Sequence, residues 1–370
     1  MIMNEQYQDR LTRLTNYLET LDVEIAIIND PKNVFYYTGF NSNPHERFMA
    51  LVIDLKKQSQ FLFVPSLDLE IAEGDSYVKR IVPISDEVNP YKVLKDTIGE
   101  GIQTIGLETK VISLFQQEQL HNSFQNFRYL NIGDFIASQR MRKTQAECNK
   151  VQHAIHVIEK VMEEGIKKVK EGMKEQELTA ELEYLMRKFG ASGPSFSSIV
   201  LSGAKAALPH GHPDSKTINR GDFLLIDMGV IVDGYCSDIT RTFIIGEETP
   251  KQREIYDIVL KATQAGVEEA KAGIPIGQID IAARNVIKEA GYGQYFNNRV
   301  GHGLGIDVHE EPSIHENNHL IVESGFLFTI EPGIYIPGYG GVRIEENVYI
   351  NELGQGMQLT SFPTELVLIG

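Results

Sequence analysis

The chain has 370 residues, 42% hydrophobic and 23% charged, which suits about two soluble domains with sizeable cores. Its 51 acidic residues against 35 basic ones leave a net charge of -16, which argues against a nucleic acid or an anionic membrane as partner. The two cysteines, Cys148 and Cys236, offer no disulfide framework; the opening "MIMNEQYQDRLTRLTNYLE" lacks a signal peptide's apolar core and no later apolar run could span a bilayer, so a reducing cytoplasm is expected.

Residues 1–135 alternate between the two periodicities. "YQDRLTRLTNYLETL" has helical spacing, and "VEIAIIN", "FMALVIDL", "QFLFVP" and "TIGLE" have the apolar, β-branched character of strands. "SLDLEIAEG", "NPYKVLKDTIGE" and "LFQQEQLHNSF" supply helices between the later strands, which predicts an α/β domain. No glycine-rich phosphate loop follows any strand, so nucleotide binding is not expected there.

A second domain is expected over 136–370. Thr144 and Glu147 have the spacing of a capping box, and a long amphipathic helix to about Lys170 follows, with Val151, Ile155, Ile158, Met162, Ile166 and Val169 along one stripe. "EGMKEQELTAELEYLMRKFG" and "AGIPIGQIDIAARNVIKEAGYG" share a grammar: Gly172 and Gly273 each follow a long helix and precede a shorter one. Two helix-helix-strand repeats around an antiparallel sheet are predicted.

The informative stretch is "FLLIDMGVIVDGYCSDITRTF". Asp227 interrupts a run as apolar as a buried strand, and an ionised carboxylate there is costly unless something positive meets it. Asp233-Gly234 is a two-residue hairpin turn; it sets Val232 opposite Tyr235 and Asp227 opposite Thr240, with Asp238 a diagonal neighbour on Asp227's face, roughly 7–8 Å away. In "FLFTIEPGIYIPGYGGVRIEENVYI", a five-residue loop from Pro337 to Gly341 would pair Ile336 with Val342, oppose Glu331 to Asn347 and make Glu345 the diagonal neighbour of Glu331. Four carboxylates facing one space repel one another, and two divalent cations would cancel that charge. A single strand acid more often faces solvent; two matched pairs make that reading less convincing.

Histidines stand nearby in the sequence. His302 lies between Gly301 and Gly303 in "GHGLGIDVHEEP", with His309 seven residues on, and "AALPHGHPDS" carries His210 and His212. No HExxH, GxSxG or paired CxxC pattern competes. His45, in "NSNPHERF", reads as a surface-loop residue, with reach into a neighbouring subunit's site as its alternative.

The ordered set "LPHG", "LLIDMG", "CSDITRTF", "GHGLGIDVHEEP", "FTIEPGIY" and "GVRIEENV" resembles the pita-bread metallopeptidases over roughly residues 140–370, and "NDPKNVFYYTGF" with "ERFMALVI" resembles the creatinase-type N-terminal domain of the proline-specific members. The resemblance implies an α/β domain ahead of an α+β pita-bread domain. It also implies two divalent metal ions per subunit, held by Asp227, Asp238, His302, Glu331 and Glu345, with Asp238 and Glu345 bridging. Four oxygen-donor ligands and one imidazole suit manganese first, with cobalt, iron(II) or zinc as alternatives. His210 and His309 correspond to histidines that contact the substrate and its tetrahedral intermediate, Glu331 to a proton shuttle, and Arg343 to an arginine supporting the site or the substrate. The activity implied is hydrolysis of the Xaa-Pro bond of dipeptides by a metal-bridging hydroxide. Release of the first residue from longer Xaa-Pro peptides, as by aminopeptidase P, is the alternative; a creatinase-like C–N hydrolase and a metal-free binding scaffold are more remote. The expected partners are small peptides with proline second and, in a homodimer, a second copy of the chain.

Overall fold

The computed structural model describes residues 2–370 and divides into two compact units, one up to Gln139 and one from Arg140 onward. In the first, six strands form a mixed sheet in the order Ile81–Ile84, Ser59–Pro65, Ala50–Asp54, Ile25–Ile28, Thr104–Leu107 and Arg128–Asn131. The strands Ala50–Asp54, Ile25–Ile28 and Thr104–Leu107 are wholly buried, which is why their runs are apolar without alternation. Ile81–Ile84 and Arg128–Asn131, at the edges and half exposed, do not stand out in the sequence. Nor does the helix Pro31–Thr38, which Asp30 caps through the amides of Lys32 and Asn33 and which ends at Gly39 in the left-handed region.

Glu108, 1% exposed, holds the entry to that helix. Its carboxyl accepts from the amides of Asn29 at 2.6 Å and Asp30 at 2.9 Å and from the side chain of Asn33. Burial pushes its pKa up to about 7 against the pull of these donors.

The second unit contains two helix pairs. Gln145–Ile166 precedes Glu175–Lys188, and Pro250–Glu269 precedes Gly277–Glu289. Thr144 with Glu147, and Thr249 with Gln252, close capping boxes at the two long helices; the first ends at Ile166, about a turn short of expectation. Each pair meets at a glycine: a Cβ on Gly165 would lie 2.3 Å from Leu182, and one on Gly266 would lie 2.8 Å from Ile330 and 3.6 Å from Ala283. The equal spacing of Gly165 to Leu182 and of Gly266 to Ala283 supports the predicted repeat.

The strands Ile199–Ser202, Phe223–Met228 and Ile239–Ile245 form an antiparallel sheet, to which Leu368–Ile369 adds in parallel. Gly301–Gly303, Glu310–Ile314, Leu327–Ile330, Glu346–Ile350 and Gly356–Gln358 form a second, antiparallel sheet. Alternation along Phe223–Met228 splits its side chains between two cores. Leu224, Ile226 and Met228 pack with Ile158, Leu178 and Leu182, whereas Phe223 and Leu225 pack with residues such as Val259, Ala262, Ile279 and Ala283. Asp227 falls on the second of these faces.

The first hairpin has the expected register, with Val232 opposite Tyr235 and Asp227 opposite Thr240, and both Asp233 and Gly234 in the left-handed region. The second is shifted by two. Ile336 pairs with Gly340, so the loop is Pro337–Tyr339, and Thr329 faces Asn347. Continuing that register sets Glu331 directly opposite Glu345 instead of diagonal to it. Gly340 and Gly341 look like turn residues but lie within the strand, where a Cβ on Gly341 would sit 2.2 Å from the carbonyl of Ala206. A shift of two preserves the face, so both acids still point the same way.

The raised carboxyl of Glu108 stabilises the first unit below about pH 4.5, and that contribution is lost as pH rises through about 7. In thermal unfolding at pH 5 and pH 8, Glu108→Gln should therefore narrow the difference in midpoint relative to wild type. An unchanged difference would refute the assignment.

Candidate metal centre

The hairpin strand Gly340–Arg343 and the segment after it meet the strand Ile239–Ile245: Arg343 donates its amide to the hydroxyl of Thr242 at 3.1 Å, and Glu345 donates its amide to the carbonyl of Thr240 at 3.2 Å. This junction brings acids from distant parts of the chain together. Asp227, Asp238 and Glu345 each offer an oxygen within 4.8 Å of the others. They are 8%, 5% and 1% exposed. Oδ1 of Asp227, Oδ1 of Asp238 and Oε1 of Glu345 are buried and have no hydrogen-bond partner among the described residues.

His302 and Glu331 complete the group. Nε2 of His302 lies 3.0 Å from Oε1 of Glu331 and 3.8 Å from Oδ2 of Asp238. Nδ1 lies 3.1 Å from the carbonyl of Gly303, which can only accept. Nδ1 therefore carries a proton, and Nε2 is the ring atom turned toward the carboxylates. A 3.0 Å approach of that nitrogen to a carboxylate needs positive charge there, either a second proton on the ring or a metal ion in its place. The flanking glycines allow the approach: a Cβ on Gly301 would lie 1.9 Å from the carbonyl of Thr329, and one on Gly303 would lie 2.2 Å from that of Glu311.

The electrostatics follow from crowding and burial. Burial and neighbouring carboxylates push Asp238 and Glu345 well above the usual carboxylate range. Burial also raises Asp227, against the pull of Arg343. Burial alone would raise Glu331, but His302 and Arg343 hold it below its ordinary value. Arg343, 3% exposed, donates from Nη2 to Asp227 at 2.5 Å, from Nη1 to Tyr335 at 2.9 Å and from Nε to Thr240 at 3.0 Å. One guanidinium leaves the three orphaned oxygens unmet. The convergence of the three carboxylates, with an imidazole nitrogen aimed the same way, fits divalent cations.

A cleft of about 800 Å³ opens over the acids. Phe196, Ile199 and Leu208 supply an apolar wall, and His210, His309 and Arg299 supply polar groups. The ring of His309 stands edge-on to that of His302, 4.2 Å between centroids. Burial, then His302 and Arg299, lower its pKa to about 4, leaving it uncharged at neutral pH. His210 lines the cleft and His212 does not. Asp227, Asp238, His302, Glu331, Glu345, Arg343, His210 and His309 thus gather at one place; His45 belongs to the first unit.

Sequence reasoning passed over Thr240, Tyr335 and Asn347. The Thr240 hydroxyl donates to Oε2 of Glu345 at 2.9 Å and accepts from Arg343, while Asn347 Nδ2 holds the carbonyl of Asp238 at 2.7 Å. The hairpin register that set Thr240 opposite Asp227 was the available signal for it.

Thr240→Val keeps the shape and removes the group that orients Glu345 and Arg343. Calorimetric titration should find manganese affinity about 10–100-fold weaker; wild-type affinity would count against this arrangement.

The family description "Metallopeptidase family M24" matches residues 149–352, and "Creatinase/Prolidase N-terminal domain" matches residues 10–142. YkvY of Bacillus subtilis (strain 168) is 38% identical over 364 residues, 98% of this chain and 100% of that protein. The prolidase from Pyrococcus horikoshii OT3 superposes with a TM-score of 0.90 at 36% identity, covering 97% of this chain and 100% of its own. The X-Pro aminopeptidase from Thermotoga maritima MSB8 does so with a TM-score of 0.85 at 34% identity, covering 95% and 99%. The expected α/β domain ahead of a pita-bread domain is met in these matches. On these matches, the chain belongs to metallopeptidase family M24 and carries a creatinase/prolidase-type domain ahead of its peptidase domain.

Proposed function

We propose that the chain is a proline dipeptidase: it hydrolyses the Xaa-Pro bond of dipeptides with two divalent ions, manganese first, held by Asp227, Asp238, His302, Glu331 and Glu345. The observation that carries this reading is the convergence beneath the cleft of three buried carboxylates, each of which also has an oxygen that no described residue partners. Similarity to a prolidase over nearly the whole of both chains supports the substrate class. Bound there, divalent ions would activate water and polarise the scissile carbonyl.

The chain's own groups supply the rest. Glu331 is held below the ordinary carboxyl range and is ionised at neutral pH, so it can take a proton from the attacking water and pass it to the proline nitrogen. His309, uncharged there, can donate to the carbonyl oxygen as negative charge develops, and His210 contacts the peptide from the same cleft. A bond to proline has no N–H, so the cleft needs no acceptor at that position. Arg343 has Nε, Nη1 and Nη2 all engaged, which favours support of the site over capture of a substrate carboxylate. Homodimer formation and a cytoplasmic location complete the proposal.

Aminopeptidase P action is the second reading, because the likeness to an X-Pro aminopeptidase is nearly as strong. Manganese-loaded protein should cleave Xaa-Pro dipeptides and spare Xaa-Pro-Xaa tripeptides. Turnover of tripeptides would favour aminopeptidase P, and turnover of neither with metal bound would defeat both. Exhaustive chelation should abolish activity; retained function would point to a creatinase-like hydrolase or a scaffold. Glu331→Gln should lower kcat by about 10²–10⁴-fold.

A further inference from the structure

Asp307 and Glu310 flank His309 in sequence, yet neither lines the cleft. Both turn instead to cations. Arg140 Nη2 reaches Asp307 Oδ2 at 2.7 Å and Glu310 Oε1 at 2.5 Å, and Lys143 Nζ lies 3.1 Å from Glu310 Oε2. The side chains of Arg140, Lys143 and Glu310 are 10%, 2% and 5% exposed. Arg140 and Lys143 hold the Glu310 carboxyl down at about 2, although burial would raise it.

The same carboxylate organises the loop. Its Oε1 accepts the amide of Asp307 at 3.0 Å, and the pair lies where Gly305 leaves room: a Cβ there would be 2.9 Å from both Glu310 oxygens and from Lys143 Cε. Cys236 ties the other side, donating its amide to the carbonyl of Gly305 at 2.7 Å and its thiol to that of Ile306 at 3.3 Å. Cys236 stands two residues before Asp238, so the loop is fastened beside a proposed cation ligand. His309 is left exposed to the cleft with a tethered residue next to it.

Removing charges from water is costly, and apolar replacements often stabilise a protein as well as a buried ion pair does. Asp307 is 38% exposed, but Glu310 and its two cations are nearly buried, so stability is a poor explanation for that trio beside one loop, whereas fixing a geometry is a better one. We propose that the Arg140–Lys143–Asp307–Glu310 cluster is a positioning device that sets where the His309 imidazole meets the bound peptide. This rests on the reading above in which His309 contacts the substrate.

The test is a double-mutant cycle on manganese-loaded protein, with metal content measured for every variant. Glu310→Gln should keep its metal and KM and lose kcat by about 10²-fold, the cost of a misplaced group. In a His309→Ala background the same change should cost less than about twofold. An equal loss in both backgrounds would overturn the proposal, because Glu310 would then act without His309. If Glu310→Gln fails to fold, Asp307→Asn, which leaves the Lys143 pair intact, enters the same cycle with a smaller loss expected. Arg140→Lys keeps the charge but cannot span both acids, and should fall between wild type and Glu310→Gln. If His309→Ala leaves kcat unchanged, it is the substrate-contact reading that fails. Histidine-selective NMR on protein loaded with diamagnetic zinc separates the two: Glu310→Gln should move the His309 ring signals and spare those of His210 whatever the activity, and unmoved His309 signals would sink the proposal.

Discussion

Like charge gathered in a buried space is the constraint around which the second unit is organised. Asp227, Asp238 and Glu345 are drawn into a space where burial and neighbouring carboxylates raise the cost of ionisation, and Glu331 joins them with His302 and Arg343 favouring its ionised form. Arg343 meets part of that charge and His302 part of the rest, but each of Asp227, Asp238 and Glu345 keeps an oxygen that no described residue partners. As the proposed cation ligands, these acids would have a reason to stay buried that packing alone does not give them.

The surrounding structure keeps that arrangement rigid. Arg241, 1% exposed, lies behind the acids, donating to the carbonyls of Thr240 and Glu345 and pairing with Glu346 at 2.8 Å. Asn347 holds the backbone of Asp238, and Thr240 bridges Glu345 and Arg343. Farther out, the strand Phe223–Met228 is gripped on both faces by separate cores, so Asp227 sits on a strand with little freedom to tilt. The ligands depend on second-sphere partners, which depend in turn on packing of the helix pairs.

Much of this was legible because it follows short-range rules. The Asp233-Gly234 turn fixed one register outright, since both residues take the left-handed conformation that such a turn requires. The second register was misjudged because glycine has two uses. Gly340 and Gly341 resemble loop residues, but they serve close packing against Phe223 and Ala206. Edge strands in the first unit escaped because half-exposed backbone carries little hydrophobic pattern. The roles of Thr240, Tyr335 and Asn347 escaped for another reason: a hydroxyl or amide acquires its partner only when segments distant in sequence meet.

The two helix pairs bear on how such a centre is assembled. Asp227 and Asp238 follow the first pair, and His302, Glu331 and Glu345 follow the second. The first half brings two acids, and the second brings two acids and an imidazole, so the cluster closes only when both halves of the unit fold together. Cutting the chain between the two helix pairs would part the acids of one half from the histidine of the other.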